Sequence, residues 1–265
     1  MSASDIAVAK KDLGTAESSV VGGTVGNLTA AVTLNATQTA TLAITTPTGA
    51  GQIFSLGVTG TDANGDKFTA ADYTTGTTAA DAQKVMYIAR DGDTAGDVAK
   101  GLAQAYAIYA AEQGLDMSTF NVTASGGNLS VSSTLTDATD TIAARVDTLT
   151  SPTEVTIGGG LEKLNDINVT TDAGADAALV SIEYMIQNAI DSAASFGSAQ
   201  GRIETQTNFI SSLTDSLKSG IGTLVDADME EASARLQALQ VQQQLGVQAL
   251  SIANQAPQSL LSLFR

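Results

Sequence analysis

Between Ile182 and Leu224, small or apolar residues recur at steps of three and four: Ile182, Ile186, Ala189, Ala193 and Phe196, then Ile203, Ile210, Leu217 and Leu224. Gln200, Thr207 and Thr214 take intervening positions of the series with polar side chains. A stripe with heptad spacing commits this segment to a long α-helix that needs a partner along its length. A helix over 176–219 would be roughly 65 Å long at about 1.5 Å per residue. The spacing predicts a second helix from Asp226-Ala-Asp228, an N-cap that sets acidic charge at the positive end of the helix dipole. Met229, Ala232, Leu236 and Leu239 keep the three-four spacing, Leu245, Leu250 and Ile252 carry it to Asn254, and Pro257 marks a break. The tail Ser259–Arg265 is strongly apolar, which makes it a docking surface if it is covered in an assembly.

The preceding sequence has a different texture. Residues 1–27 are mixed and rich in small residues, ending in Val20-Val-Gly22-Gly23-Thr-Val-Gly26, and read as a short helix or linker leading into a turn. Residues 28–160 are rich in Thr, Ala, Gly and Val. Val32-Thr-Leu34, Thr41–Ile44 and Ile53–Val58 read as strands, and a turn at Asp62-Ala-Asn64-Gly65-Asp66 leads into Lys67-Phe68-Thr69 as a hairpin. Thr94-Ala-Gly-Asp97 caps an amphipathic helix over Val98–Gln113, closed by Gly114. Phe120–Ala124 and Asn128–Ser132 flank Gly126-Gly127 as a second hairpin. The order β-β-α-β-β describes a compact α+β module. Glu154–Ile157 adds a segment that ends at Gly158-Gly159-Gly160, read as a hinge. The expected organisation is α+β: a linker at 1–27, a surface-exposed β-rich domain at 28–160, a long helix in 161–224 and a terminal coiled-coil helix in 225–265.

The 265 residues contain no Cys and no His, which removes disulfides, Cys/His zinc sites and Ser–His–Asp or Cys–His catalysis. The net charge of −16 repels phosphate backbones and anionic membrane surfaces, so neither nucleic acid nor membrane is an expected partner. No apolar run approaches the ~20 residues of a membrane span. Met1–Lys11 lacks the ordered basic and apolar regions of a signal peptide.

The C-terminal hundred residues resemble bacterial flagellins. Ser198-Ala-Gln200-Gly-Arg202-Ile-Glu204 is similar to a segment of the family's first long C-terminal helix. Gly220-Ile-Gly-Thr-Leu-Val225-Asp226-Ala227-Asp228-Met229 resembles the acidic junction that follows it. Gln243–Gln255 resembles the terminal helix, and Ala256-Pro257-Gln258-Ser259-Leu-Leu261-Ser262-Leu263-Phe264-Arg265 the C-terminus. The resemblance covers about 166–265, and the β-β-α-β-β stretch is similar to insertion modules of the family's outer domains. It implies a structural filament subunit exported through the flagellar secretion channel, with the stripe from Ile182 to Leu224 buried within the subunit. Residues 229–265 would then lie largely between subunits, with Met229, Leu236, Leu239, Leu245, Leu250, Leu260, Leu263 and Phe264 as assembly residues. The implied partners are other flagellin subunits, an export chaperone, the filament cap and hook–filament junction proteins, with no cofactor. Flagellins begin with a long helical arm and an Asn-Phe-Asn-Gly-like turn; neither stands before Leu28, as expected of a chain trimmed on that side.

Other readings remain open at this stage. The α+β domain could be a binding module for a polysaccharide or host glycan, and Tyr106 and Tyr109 could stack on a sugar ring or simply fill a core. Carboxylates such as Glu112 and Asp116 could in principle form a glycosidase pair, against the plainer reading of an acid-rich helix end. Asp62–Asp66 lacks the Gly and Glu positions of a calcium loop, and Asp91-Gly-Asp93 reads as a turn before a helix rather than a metal site. Asn121-Val-Thr123 matches the N-glycosylation triplet, a match a Thr-rich sheet produces by chance. No convergent set of titratable groups suggests an enzyme.

Overall fold

The computed structural model describes residues 8, 11–27, 29–63, 75, 78–137 and 139–263. The Lys67-Phe68-Thr69 hairpin arm, most of the Asp62–Asp66 turn, most of Met1–Lys11 and the final Phe264-Arg265 lie outside these residues. So do the side chains of Leu260 and Leu263. The chain divides into two units, residues 1–199 and residues 200–265, and each is described by itself.

The first unit is the α+β body expected from the sequence, with more strands than the sequence reading supplied. β1 (Ser19–Val21), β2 (Thr24–Asn27), β3 (Val32–Leu34), β4 (Thr37–Ala43) and β5 (Ile53–Thr61) come first. A one-turn helix α1 (Ala79–Ala82), β6 (Met86–Ile88) and the helix α2 (Ala95–Gln113) follow. β7 (Phe120–Ser125), β8 (Asn128–Thr134), β9 (Thr141–Thr150) and β10 (Glu154–Thr156) then lead to the long helix α3 (Asp172–Leu263).

β9 organises the main sheet. It pairs antiparallel with β5 from Ile53↔Leu149 to Thr61↔Thr141, and on its other edge with β2 and β3. Where the sequence suggested a short helix or linker, residues 19–21 and 24–27 are strands, β1 paired with β10 and β2 with β9. Val20 and Val25 join a small apolar cluster with Ile53, Ile88 and Leu149. A β-strand needs fewer residues than a helix to bury such a pair, so short alternating segments are strand when a neighbour is in register. β4, β8 and β7 form a separate three-stranded antiparallel sheet, closed at Gly126-Gly127 by the expected hairpin turn.

α2 has the cap the sequence announced. The Asp97 N–H donates to Thr94 Oγ1 at 3.3 Å, and the Thr94 N–H donates to the Asp97 carboxylate at 2.8 Å. Gly114 ends the helix at φ 68°, a conformation that favours glycine. The helix is not amphipathic, however: residues 101–110 are all buried. Its small buried residues, Ala99, Ala103, Ala107 and Ala110, let strands of both sheets approach closely, so α2 is the axis of the core. Tyr106 lies edge-on to Phe120 with ring centroids 5.4 Å apart, and both are buried, as is Tyr109. These tyrosines fill the core, so neither is available to stack on a sugar.

Gly158–Gly160, expected as a hinge, is a tightly packed crossing. A Cβ on Gly159 would meet the Gly14 carbonyl oxygen at 2.0 Å, so only glycine permits the two strands of backbone to touch. The Gly159 N–H donates to the Ala16 carbonyl at 2.8 Å and the Gly160 N–H to the Asp12 carbonyl at 2.7 Å. A buried ion pair holds this crossing. Arg90 sits 3.2 Å from Glu162, donates to the Gly158 and Gly159 carbonyls, and lies against the hydroxyl of Tyr87. Glu162 in turn accepts from the N–H and the hydroxyl of Ser18. Burial pushes the Tyr87 hydroxyl well above its ordinary pKa, and it donates to Asp93 at 2.6 Å.

Candidate assembly surface

α3 begins at Asp172, one turn ahead of the expected start, because Thr171 caps it: the Gly174 N–H donates to Thr171 Oγ1 at 3.0 Å. Its first turns pack on the body through Ala177, Ser181, Met185, Asn188 and Ser192. Ala177, Ser181, Met185 and Ser192 are buried, while Asn188 donates to the Gly160 carbonyl at 3.0 Å. Asp191 pairs with Lys100 of α2 at 2.8 Å, and that ammonium holds the Asp191 carboxyl below its ordinary pKa. The Ala124 N–H donates to the Tyr184 hydroxyl, which ties the helix to β7.

This packed face is one residue out of step with the stripe read from the sequence. Ile182 and Ile186 follow Ser181 and Met185 and are 44% and 56% exposed; Phe196 is exposed as well. One residue turns a helix by about 100°, so the part of the stripe from Ile182 to Phe196, expected to be buried, is largely exposed. The packed positions are held mostly by small side chains, Ala177, Ser181 and Ser192, with Met185 among them.

The second unit is helix from Gln200 onward. No break occurs at Asp226-Ala-Asp228, so the expected second helix is the continuation of α3. An acidic triplet marks a helix start only if the preceding residues cannot be helical, and Gly220 and Gly222 are accommodated with open space around them. Every described large apolar side chain of this unit is exposed: Ile203, Phe209, Ile210, Leu213, Leu217, Ile221, Leu224, Val225 and those that follow. Met229, Leu236, Leu239, Leu245 and Leu250, singled out above, are 59–69% exposed.

Those five side chains do not share one face. At about 100° per residue, Met229, Leu236, Leu239 and Leu250 lie within a sector of about 80°. Leu245 lies on the opposite side, together with Val241 and Ile252. Read as a single series, the sequence runs on through Leu245 and Ile252. Strict three-four steps from Leu239 instead run through Gln243 and Gly246 to Leu250 and leave Leu245 and Ile252 on the other side. Reading the positions as angles on a helix rather than as steps recovers the second face. A helix apolar on two opposite sides is built to be covered on both.

The body holds no catalytic arrangement among its described residues. Asp116 is bound within its own turn, accepting from the N–H and hydroxyl of Ser118, which lower its pKa, and Glu112 is exposed at the end of α2. Asp93 is engaged by the Tyr87 hydroxyl and the Arg90 N–H. Asp147 is buried on the main sheet beside Arg145 at 2.8 Å, and burial raises its pKa. No three potential metal-ligating side chains converge among the described residues, and no described helix is long and apolar enough to cross a membrane.

Comparison with known proteins separates the same segment. The family described as the bacterial flagellin C-terminal helical region matches residues 179–264. Flagellin of Brucella melitensis is 43% identical over 141 residues, 53% of this chain and 46% of that protein. Flagellin FljM of Caulobacter vibrioides is 48% identical over 107 residues, 40% of this chain and 39% of its own length. Flagellin A of Rhizobium meliloti strain 1021 is 52% identical over 90 residues, 34% of this chain and 23% of its own. The chain thus spans less than half the length of these curated relatives. No solved structure matches it.

Proposed function

We infer, from its membership of the bacterial flagellins across residues 179–264, that this chain is a structural subunit of the flagellar filament, extracellular and serving motility. The observation that carries the reading is the helix of residues 200–263, whose described large apolar side chains are all exposed and, from Met229 to Ile252, stand on two opposite faces. Such a helix is stable in water only when neighbours cover it, and coiled-coil packing between subunits does so. Met229, Leu236, Leu239 and Leu250 would seat against one neighbour and Leu245 against another, with Leu260, Leu263 and Phe264 extending the contact. The polymer supplies the main partner. The export chaperone, the filament cap and the hook–filament junction proteins are its further partners, and the flagellar secretion channel its route outward. No catalytic step or cofactor belongs to this reading.

The test is the double substitution Leu236→Asp and Leu250→Asp. Each carboxylate would have to be desolvated in the covered interface, which the packing cannot compensate. Filaments should be lost in cells and in purified material seen by electron microscopy, while circular dichroism of the body is unchanged. Normal filaments from this variant would end the proposal.

A further inference from the structure

The three-stranded sheet of β4, β8 and β7 carries no charged residue in any of its strands, in a chain with a net charge of −16. Its solvent face is a grid of short polar side chains: Thr39, Ser132 and Asn121 in one row, Thr41, Ser130 and Thr123 in the next. A second copy of this chain is repelled by most of the acidic surface and meets no repulsion here.

The two edges of this sheet are treated differently. The Thr134 N–H donates to the Thr119 carbonyl, which fixes the ladder so that residues 120, 122 and 124 of β7 turn their backbone groups away from β8. The body caps that edge. The Tyr106 hydroxyl donates to the Phe120 carbonyl at 3.2 Å, and the Ala124 N–H donates to the Tyr184 hydroxyl at 3.1 Å.

At the other edge, the Ile44 N–H donates to the Gly127 carbonyl, so Gln38, Ala40 and Leu42 exchange bonds with β8. Thr39, Thr41 and Ala43 therefore aim their N–H and carbonyl groups outward, and all three are exposed. No described residue pairs with them. The strand has no proline, lysine or bulge of the kind that blunts a free edge.

We propose that the open edge of β4 is a docking site for the β4 edge of a second copy of this chain. Two threonines, Thr39 and Thr41, flank Ala40 symmetrically, which suits an antiparallel self-pair with its two-fold axis at that residue. Thr39 then stands opposite the second copy's Thr41, and Thr41 opposite its Thr39, each pair exchanging N–H···O=C bonds. The facing threonines pack as cross-strand pairs, and the two three-stranded sheets become one of six. This contact is separate from the helical one and stands or falls without the filament reading.

Two measurements on the full chain decide it. The chain has no cysteine, so Ala40→Cys introduces a single thiol that meets its own copy across the two-fold axis. Mild oxidation should give a disulfide-linked dimer mapped to residue 40 by peptide mass spectrometry. Adding Thr41→Pro removes an outward N–H without touching a bond to β8, and should return dimer formation to the level of a Ser125→Cys control at the capped edge. In the unaltered chain, the amides of Thr39 and Thr41 should exchange rapidly when dilute and become protected as concentration rises. Unchanged exchange of these amides between dilute and concentrated chain would overturn the proposal. So would a folded Ala40→Cys chain that links no more than the control.

Discussion

The body and the long helix draw on the same aliphatic residues and spend them in opposite ways. Leu56, Leu102 and Leu129 in the body are fully buried, enclosed by two sheets and a central helix. Leu236, Leu239 and Leu250 on the helix lie mostly in water. The first region completes its core within one chain, and the second has a surface that only another polypeptide can complete. A residue's hydrophobicity therefore does not say which kind of stability it serves. In the body, removing a side chain is expected to act on folding; along residues 200–254, it is expected to act on association.

That contrast can be strained at several points. The largest expected effect is from Phe120→Ala, which empties the centre of the body beside Tyr106 and should cost about 3–5 kcal/mol in denaturant unfolding. Glu162→Gln comes next. It leaves the Arg90 guanidinium buried without its carboxylate, an expected loss of about 3 kcal/mol. Amide exchange at Gly159 and Gly160 should quicken in this variant while exchange at Val131 follows only the global change. Quickening at Val131 to the same extent as at Gly159 would show that the clamp is not local. The smallest effect on folding is expected from Leu236→Ala, within about 0.5 kcal/mol for the body of the dissociated chain, as for an exposed site. The same substitution should weaken polymer formation. A loss of body stability comparable with that of Phe120→Ala would show that the two regions are not energetically separate.

Much of the body was legible because local rules act at short range. The Thr94/Asp97 capping box, the Gly114 stop and the Gly126-Gly127 hairpin each need only a few adjacent residues. β9 was missed although Ile142, Ala144 and Val146 alternate within it, because Arg145 and Asp147 interrupt its other face and read as surface. That face is partly covered, and Asp147 is buried beside Arg145. Arg90, Glu162 and Ser18, distant in sequence, leave no local signature, and a run of three glycines reads as slack whether it bends or is clamped. The assembly surface was legible as a heptad stripe but not as two faces.

By itself, the sequence determined that residues 176–219 and the stretch from Asp226 to Asn254 are helical with an unsatisfied apolar surface, and that no cysteine or histidine chemistry operates here. That the two are one helix only the structure decided. Periodicity records which side chains share a face, and composition records which groups exist; both are properties of one dimension. Only the tertiary structure decided which face of α3 meets the body, that Gly158–Gly160 is a crossing, and that β9 holds the main sheet together. Those outcomes depend on how closely two backbones can approach. Bare glycine at Gly159 against Gly14 sets that distance where any larger side chain would prevent it.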